Sequence, residues 1–279
     1  MGSGQTFSNE RSRMENERVL ITGASSGIGE ATALAFARKN AELFLVARRE
    51  DRLNLVVEEC SQSGAATAIP GIHDLSVSGA GVTIVNECLQ RLGGLEVLVC
   101  NAGYGFFGPV SRVEPEMMAR MWQVNFQSAY ESIHTALPHF REKARGHVVL
   151  VSSIIGKKGM PYSASYCATK FAQVGLGEAL WGELGGEGIG VTVVCPGYTS
   201  TEFHSVAEKG DGSLKSGRRI RGQSPEVVAD GIVKAVRKNR REIHFTLPGK
   251  LLLLVDRISN GLSTRIMATV AKLERGGDR

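Results

Sequence analysis

The stretch Arg18-Val-Leu-Ile-Thr-Gly-Ala-Ser-Ser-Gly-Ile-Gly29 decides how this chain is read. It opens as a short apolar strand, Arg18 to Thr22, and closes as the start of an alanine-rich helix, Gly27 to Lys39. Glycines alone say little, but glycines that end a strand and open a helix mark a phosphate-binding turn. Gly23 allows the tight turn, Gly27 lets the backbone approach a pyrophosphate, and Gly29 lets helix and strand pack closely. The helix start offers N–H groups and partial positive charge to the phosphates. Ser25, Ser26 and Ile28 share the turn and count with the glycines as cofactor contacts.

Strand and helix alternate beyond that turn. Glu42 to Val46, Ala66 to Ile72, Leu95 to Cys100, His147 to Val151, Gly190 to Cys195 and Glu242 to Leu247 read as strands. Leu95 to Cys100 and His147 to Val151 are unbroken apolar runs, as expected of strands buried on both faces. Helices are expected at Glu50 to Ser63, Val77 to Leu92 with Ser76 as cap, Glu114 to Arg141 with a bend at Pro138, and Tyr162 to Leu184. Another starts at Ser224-Pro-Glu226, and a last one follows Gly249. This order predicts an α/β fold: a Rossmann-type, doubly wound parallel sheet of about seven strands with helices on both faces. We expect a single domain over 18–249. It is preceded by a disordered tail, 1–17, interrupted by a mobile insertion, 198–223, and followed by a helical extension, 250–279.

Composition narrows the class. The chain has 279 residues and a net charge of +5, with 42% hydrophobic residues, so it can bury a core without disulfides or metal. Five cysteines without a Cys-x-x-Cys pair point to a reducing, cytoplasmic setting. The basic run Arg237 to Arg241 ends a predicted helix, where cations complement the dipole, so no nucleic-acid partner is expected. No apolar run approaches the roughly 20 residues that span a bilayer, and membrane contact is not expected. The six histidines have no metal-ligand spacing, and no Gly-x-Ser-x-Gly elbow is present.

Two details suggest chemistry. Tyr166 and Lys170 stand one helical turn apart on one face. An ammonium near a phenol favours phenolate, so Tyr166 is expected to have a lowered pKa and to exchange protons with an alcohol or carbonyl oxygen. The second strand ends Val46-Ala47-Arg48-Arg49, where a site for an unphosphorylated ribose usually carries an acid. Arg48, with Arg49 beside it, suits a 2′-phosphate, which favours NADP(H) over NAD.

Taken together, these segments resemble the short-chain dehydrogenase/reductase superfamily from about Arg18 to about Leu247. The resemblance rests on Thr22-Gly-x-x-x-Gly-x-Gly29, Asp74, Asn101-Ala102-Gly103, Asn125, Ser153, Tyr166-x-x-x-Lys170, and Pro196-Gly197 with Thr201. It implies that Tyr166 is the general acid or base and that Lys170 binds the nicotinamide ribose and depresses the Tyr166 pKa. It further implies that Ser153 hydrogen-bonds the substrate oxygen and that Asn125 holds a water linking Lys170 to solvent. Asp74 and Leu75 would contact adenine, Asn101 would steady the sheet, and Thr199 and Thr201 would bind the carboxamide and phosphate region. Homodimers or homotetramers are common in such a family, and no metal is needed.

Loops after the fourth, fifth and sixth strands should line the substrate pocket. They carry Tyr104, Phe106 and Phe107; Ile154, Ile155, Met160 and Tyr162; and Tyr198 and Phe203. An apolar, partly aromatic pocket suits a hydrophobic ketone or aldehyde. Two other readings stay open. The basic residues from Lys215 to Arg221 suggest a carrier-bound 3-oxoacyl substrate, and a non-catalytic NADP(H) sensor would use the same cofactor end.

Overall fold

The computed structural model describes residues 17–203, 208–209 and 222–275. The expected tail over 1–16 and most of the insertion, including Lys215, Arg218, Arg219 and Arg221, lie outside the described residues. Glu17 does not belong to a tail. It is buried, its carbonyl accepts the Glu42 N–H, and its carboxylate pairs with Arg145 at 3.0 Å.

The chain runs β1 (Arg18–Thr22), α1 (Gly27–Ala37), β2 (Glu42–Ala47), α2 (Glu50–Gln62), β3 (Thr67–Ile72), α3 (Ala80–Leu92) and β4 (Val97–Cys100). It continues through β5 (Phe106–Phe107), α4 (Pro115–Trp122), a π-helical turn (Gln123–Gln127), α5 (Ser128–Glu142), β6 (Gly146–Val151), α6 (Ala164–Leu184) and β7 (Ile189–Cys195). Then come β8 (Glu208–Lys209), α7 (Pro225–Arg237), β9 (Glu242–His244), α8 (Leu247–Ile258) and α9 (Asn260–Arg275).

Seven strands form one parallel sheet in the order β3-β2-β1-β4-β6-β7-β9. The inner strands β4, β6 and β7 are buried along their whole length, which is why their sequences do not alternate. β3 lies at an edge, so Pro70 costs no ladder bond on an unpaired side. One core layer joins α1, α2 and α7 to the sheet through Phe36, Leu53 and Ile232. The opposite layer joins α3, α5 and α6 through Ile84, Phe140 and Leu184. Strand order reverses between β1 and β4, and the crevice at such a switch point is where parallel sheets bind ligands.

Several boundaries differ from expectation. α3 starts at Ala80 because Asp74 accepts the Ser76 N–H in a turn and Gly79, at φ 80°, opens the helix. Pro138 sits inside α5, and the break in the long helix falls instead at the π turn around Asn125. α6 starts at Ala164, and Tyr162 has φ 64°, outside any right-handed helix. β9 ends at His244, since its partner β7 is cut off by Pro196. The extension begins at Leu247 with proline in its first turn, earlier than 250, and forms two helices. It docks on the loop after β6 through the buried Lys158, which pairs with Asp256 at 2.8 Å. Among the described residues, no helix is long and apolar enough to cross a membrane.

Candidate active site

The glycine-rich turn stands at the switch point. Gly23 and Gly27 have φ of 66° and 60°, the left-handed region where a side chain strains the backbone. A Cβ on Gly29 would run into the Gly23 carbonyl, so Gly29 is what lets α1 meet β1. Ser26 gives α1 no side-chain cap, which leaves the first-turn N–H groups to face the crevice. Across the switch point, Asn101 braces the two central strands. Its Nδ2 donates to the carbonyls of Thr22 (2.9 Å) and Gly23 (3.2 Å), while Thr22 Oγ1 accepts N–H bonds from Asn101 and Ala102, both at 3.0 Å. The backbone thus offers a cradle for a pyrophosphate.

The arginines after β2 surround the outer end of this cradle. Arg48 lies 3.8 Å from Asp74. Arg49 reaches the Ser25 hydroxyl at 3.3 Å and Glu202 at 3.1 Å, and Arg52 reaches Glu202 at 2.9 Å. Arg52 and Glu202 were not singled out in the sequence, because only the fold brings positions so far apart together. They line a cleft of ≈650 Å³ with Ser26, Gly27, Thr201 and Tyr198. Tyr198, expected on the substrate side, also lines this cleft. Thr201 packs its methyl over Gly27, where an added Cβ would stand 2.9 Å away. Thr199 is buried and bridges to Gln223, Leu75 is buried beside the sheet, and the Pro196 carbonyl accepts the Ile154 N–H.

Four polar residues converge at the inner end. Tyr166 and Lys170 are buried on α6. Lys170 Nζ donates to the Val151 carbonyl at 2.9 Å and to Gln173 Oε1 at 3.0 Å, and lies 5.6 Å from the Tyr166 ring centre. Asn125 is fully buried. Its Oδ1 accepts the Tyr104 N–H, and its Nδ2 donates to the Tyr104 carbonyl (both 2.9 Å) and to Thr169 Oγ1 (3.0 Å). Its main-chain carbonyl accepts from Gln173 Nε2 at 2.7 Å. Gly103 completes the group: a Cβ there would stand 3.1 Å from Asn125 Oδ1 and 3.5 Å from Lys170 Nζ. Ser152 is buried and donates to the Lys170 carbonyl, whereas Ser153 is partly exposed and accepts only a 3.4 Å bond from Ile155 N. Of the two serines, Ser152 is committed to the main chain and Ser153 is the one with accessible surface.

Electrostatics here run opposite to expectation for the tyrosine. Burial removes water from both groups and penalises each charged form. Burial, with a small addition from Cys167, raises the Tyr166 pKa above the usual phenol value. Burial lowers that of Lys170 to about 7. The amine sits over the ring, and its attraction for phenolate does not overcome desolvation. Asn125 likewise spends its side chain on Tyr104 and Thr169, and the protein group next to both its carbonyl and Lys170 is the Gln173 amide. Gln173 reads as core in a helix pattern; a polar residue on the face shared by Tyr166 and Lys170 is the signal that could have found it.

The apolar residues divide into two sets. Phe106, Met121 and Tyr166 form a buried cluster with Tyr104, Phe107, Ile155, Met117, Val113 and Phe203 packed against it. The Tyr166 ring lies 5.5 Å from Phe203 and 6.0 Å from Phe107. Pairing of β5 with β8 brings the loop after β4 against the segment after β7 on this side. Ile154 instead packs on Gly249 of the extension, and Met160 contributes its N–H to the Cys167 thiol. The fold also gathers Cys195, Glu242 and His244 with ligand atoms within 4.8 Å, which their spacing did not suggest. Lys157 and His244 already meet the Glu242 charge at 3.1 and 2.9 Å, and the Cys195 thiol is pushed up by burial to about 12. Glu242 is thus paired with Lys157 and bonded to His244 beside a neutral thiol.

A phosphate cradle at the switch point of a parallel sheet, beside a buried tyrosine and lysine, defines a dinucleotide-dependent oxidoreductase. Comparison with known proteins agrees. The family model for short chain dehydrogenases matches residues 17–211. The bovine (Bos taurus) dehydrogenase/reductase SDR family member 7B is 32% identical over 95% of this chain and 84% of its own length. The Xenopus laevis hydroxysteroid 11-beta-dehydrogenase 1-like protein A is 35% identical over 94% of this chain and 89% of its own length. Among solved structures, an alcohol dehydrogenase from the archaeon Thermococcus sibiricus complexed with 5-hydroxy-NADP superposes with TM-score 0.72 at 26% identity. That match covers 83% of this chain and 96% of that one. The chain belongs to the short-chain dehydrogenase/reductase family.

Proposed function

We propose that the protein is an NADP(H)-dependent reductase of hydrophobic ketones or aldehydes, with Tyr166 as proton donor. The observation that carries this reading is the buried Tyr166 hydroxyl-bearing ring set among Phe107, Phe203 and Ile155, with Lys170 over its face. When bound, the dinucleotide supplies or accepts the hydride. The residues fit it: Gly23, Gly27 and the uncapped α1 start suit the pyrophosphate, and Arg48 and Arg49 suit a 2′-phosphate. A relative bound to an NADP derivative supports the same preference.

The chain's own groups then divide the work. Burial keeps Tyr166 protonated, the state required to give a proton to an oxygen that gains negative charge. Ser153 provides a second hydroxyl at the end of β6, so two donors can be in place before that charge forms. The aromatic cluster excludes water and receives an apolar substrate body. Asn125 holds the main chain of Tyr104, whose side chain packs against this cluster. The named relatives include a hydroxysteroid dehydrogenase-like protein, in keeping with an apolar alcohol or ketone.

We also infer self-association. Leu247, Leu251, Leu254 and Ile258 form one exposed stripe along α8 at helical spacing.

NADPH consumption measured across a panel of hydrophobic ketones and aldehydes tests the activity. Tyr166→Phe should lower kcat by about 10²–10⁴-fold while NADPH still binds. A Tyr166→Phe protein as active as wild type would remove the proposed role.

A further inference from the structure

Gln173 lies one turn past Lys170 on α6 and is 1% exposed. A buried amide is costly unless its polar atoms are bonded. This one is bonded at both ends, and to two different residues of the site: Oε1 accepts from Lys170 Nζ at 3.0 Å, and Nε2 donates to the Asn125 carbonyl at 2.7 Å. Packing alone does not call for an amide at a buried position, where an apolar side chain carries no cost of desolvating polar atoms. The two bonds tie α6 to the π-helical turn, where the Asn125 carbonyl is presented.

We propose that Gln173 is a positioning residue of the active site: its amide clamps the Lys170 amine to the Asn125 main chain, so that the amine's remaining valence faces Gly103 and the dinucleotide. A lysine ammonium has three N–H donors. The Val151 carbonyl and Gln173 Oε1 take two, and what is left, the third N–H of the charged amine or the lone pair of the neutral one, is on the side where Gly103 provides room 3.5 Å from Nζ. Without the amide, a flexible four-carbon stem would have only the Val151 carbonyl to hold it. The inference rests on the proposed reductase reading for its catalytic consequence, though not for its structural part.

The clamp also biases the charge of Lys170. The titratable groups facing the amine are Tyr166 on its own helix and Cys195 from β7, both held neutral by burial, with Glu242 beyond Cys195. Val151 from β6 and Asn125 from the π turn are uncharged. Gln173 Oε1 is thus one of two acceptors that stabilise the charged amine. Its removal should favour the neutral amine, and a carboxylate in its place should favour the charged one.

The test compares wild type with Gln173→Leu and Gln173→Glu. NADPH affinity is read by cofactor fluorescence, and ketone reduction by kcat and KM, both from pH 5.5 to 9.5. In Gln173→Leu, NADPH affinity at pH 7.5 should fall about tenfold, kcat should fall at least as much, and the ketone KM should stay within about twofold. The limb lost as pH rises should move down by about one unit in Gln173→Leu and up by about one unit in Gln173→Glu. Equal profiles in all three proteins, or shifts in the same direction, would overturn the proposal. Gln173→Met, of similar length and without the amide, replaces Gln173→Leu should that variant not fold, and must give the same downward shift. Absence of any ketone reduction by wild type would sink the reductase reading alone, because the NADPH-binding profiles still judge the clamp.

Discussion

Replacing Lys170 with methionine should stabilise the cofactor-free fold near neutral pH while abolishing activity. In the folded protein burial lowers the Lys170 pKa from 10.5 to about 7. Between those values the unfolded chain binds a proton that the folded chain does not, so stability rises with pH across that window. The penalty is complete at and below about pH 7 and vanishes above about 10.5. At about 1.4 kcal/mol per unit it amounts to roughly 4–5 kcal/mol. Methionine escapes it but leaves Gln173 Oε1 and the Val151 carbonyl without their donor, at about 1–3 kcal/mol for a buried acceptor. Taking about 1.5 kcal/mol for each of the two acceptors, the cost is about 3 kcal/mol and the net gain near pH 6.5 is on the order of 1–2 kcal/mol, or roughly 2–6 °C in Tm for a chain of this size.

The sign of the effect carries more weight than its size. At pH 10 less than about 1 kcal/mol of the lysine penalty is left while the orphaned acceptors cost more, so Lys170→Met should there melt below wild type. Paired thermal melts at pH 6.5 and 10, followed by circular dichroism, would show the crossing. A Tm difference constant across that range would refute the reasoning, since it would mean that Lys170 does not titrate between folded and unfolded states.

Arg48→Asp should cut the NADPH-over-NADH affinity ratio by at least about tenfold, as loss of a charge-assisted phosphate contact requires; an unchanged ratio in fluorescence titrations would move the preference elsewhere. Glu242, bonded to His244 and Lys157, has its pKa lowered to about 2. A depressed carboxylate contributes stability above its unfolded pKa of 4.5 and loses it as pH falls through about 2. The shift corresponds to about 3 kcal/mol, which solvent screening of the half-buried carboxylate reduces, so Glu242→Gln should be less stable than wild type at pH 6 by on the order of 2 kcal/mol, with the gap closing by pH 2 in urea titrations. Leu251→Glu with Leu254→Glu should lower the mass found by light scattering if the α8 stripe joins subunits; an unaltered mass would exclude that surface.

Elements carried by strong local signals were legible before any coordinates. The β1–α1 turn needs glycine at two positions with positive φ, and glycine was there to be read. Inner strands buried on both faces advertise themselves as unbroken apolar runs, while the bracing role of Asn101 at the end of β4 came only from the family resemblance. What was not legible depends on groups far apart in the chain. The π turn places Asn125 without a glycine or proline to mark it, and Pro138, which looks like a breaker, is absorbed in α5. Glu202 meets Arg49 and Arg52 only because the loop after β7 returns over α1. The aromatic cluster was half legible: Phe106, Phe107 and Phe203 come together, while Met117 and Met121 look like ordinary helix residues until α4 is packed.

The largest reversal concerns charge. A lysine four residues from a tyrosine suggests an acidified phenol, but spacing reports proximity and says nothing of water. Here both groups are buried, and desolvation acts on each more strongly than they act on one another. Burial favours the protonated Tyr166 and the neutral Lys170, so the pH dependence of the proposed activity below about pH 9 should follow the amine. Tyrosinate absorbance separates the alternatives. The chain has five tyrosines, and Tyr166→Phe removes one. If burial governs, wild type and variant gain identical tyrosinate signal up to about pH 10, and the missing tyrosine shows only at higher pH or on unfolding. An extra wild-type tyrosine ionising near pH 7–8 would restore the acidified phenol and make the lysine its cause.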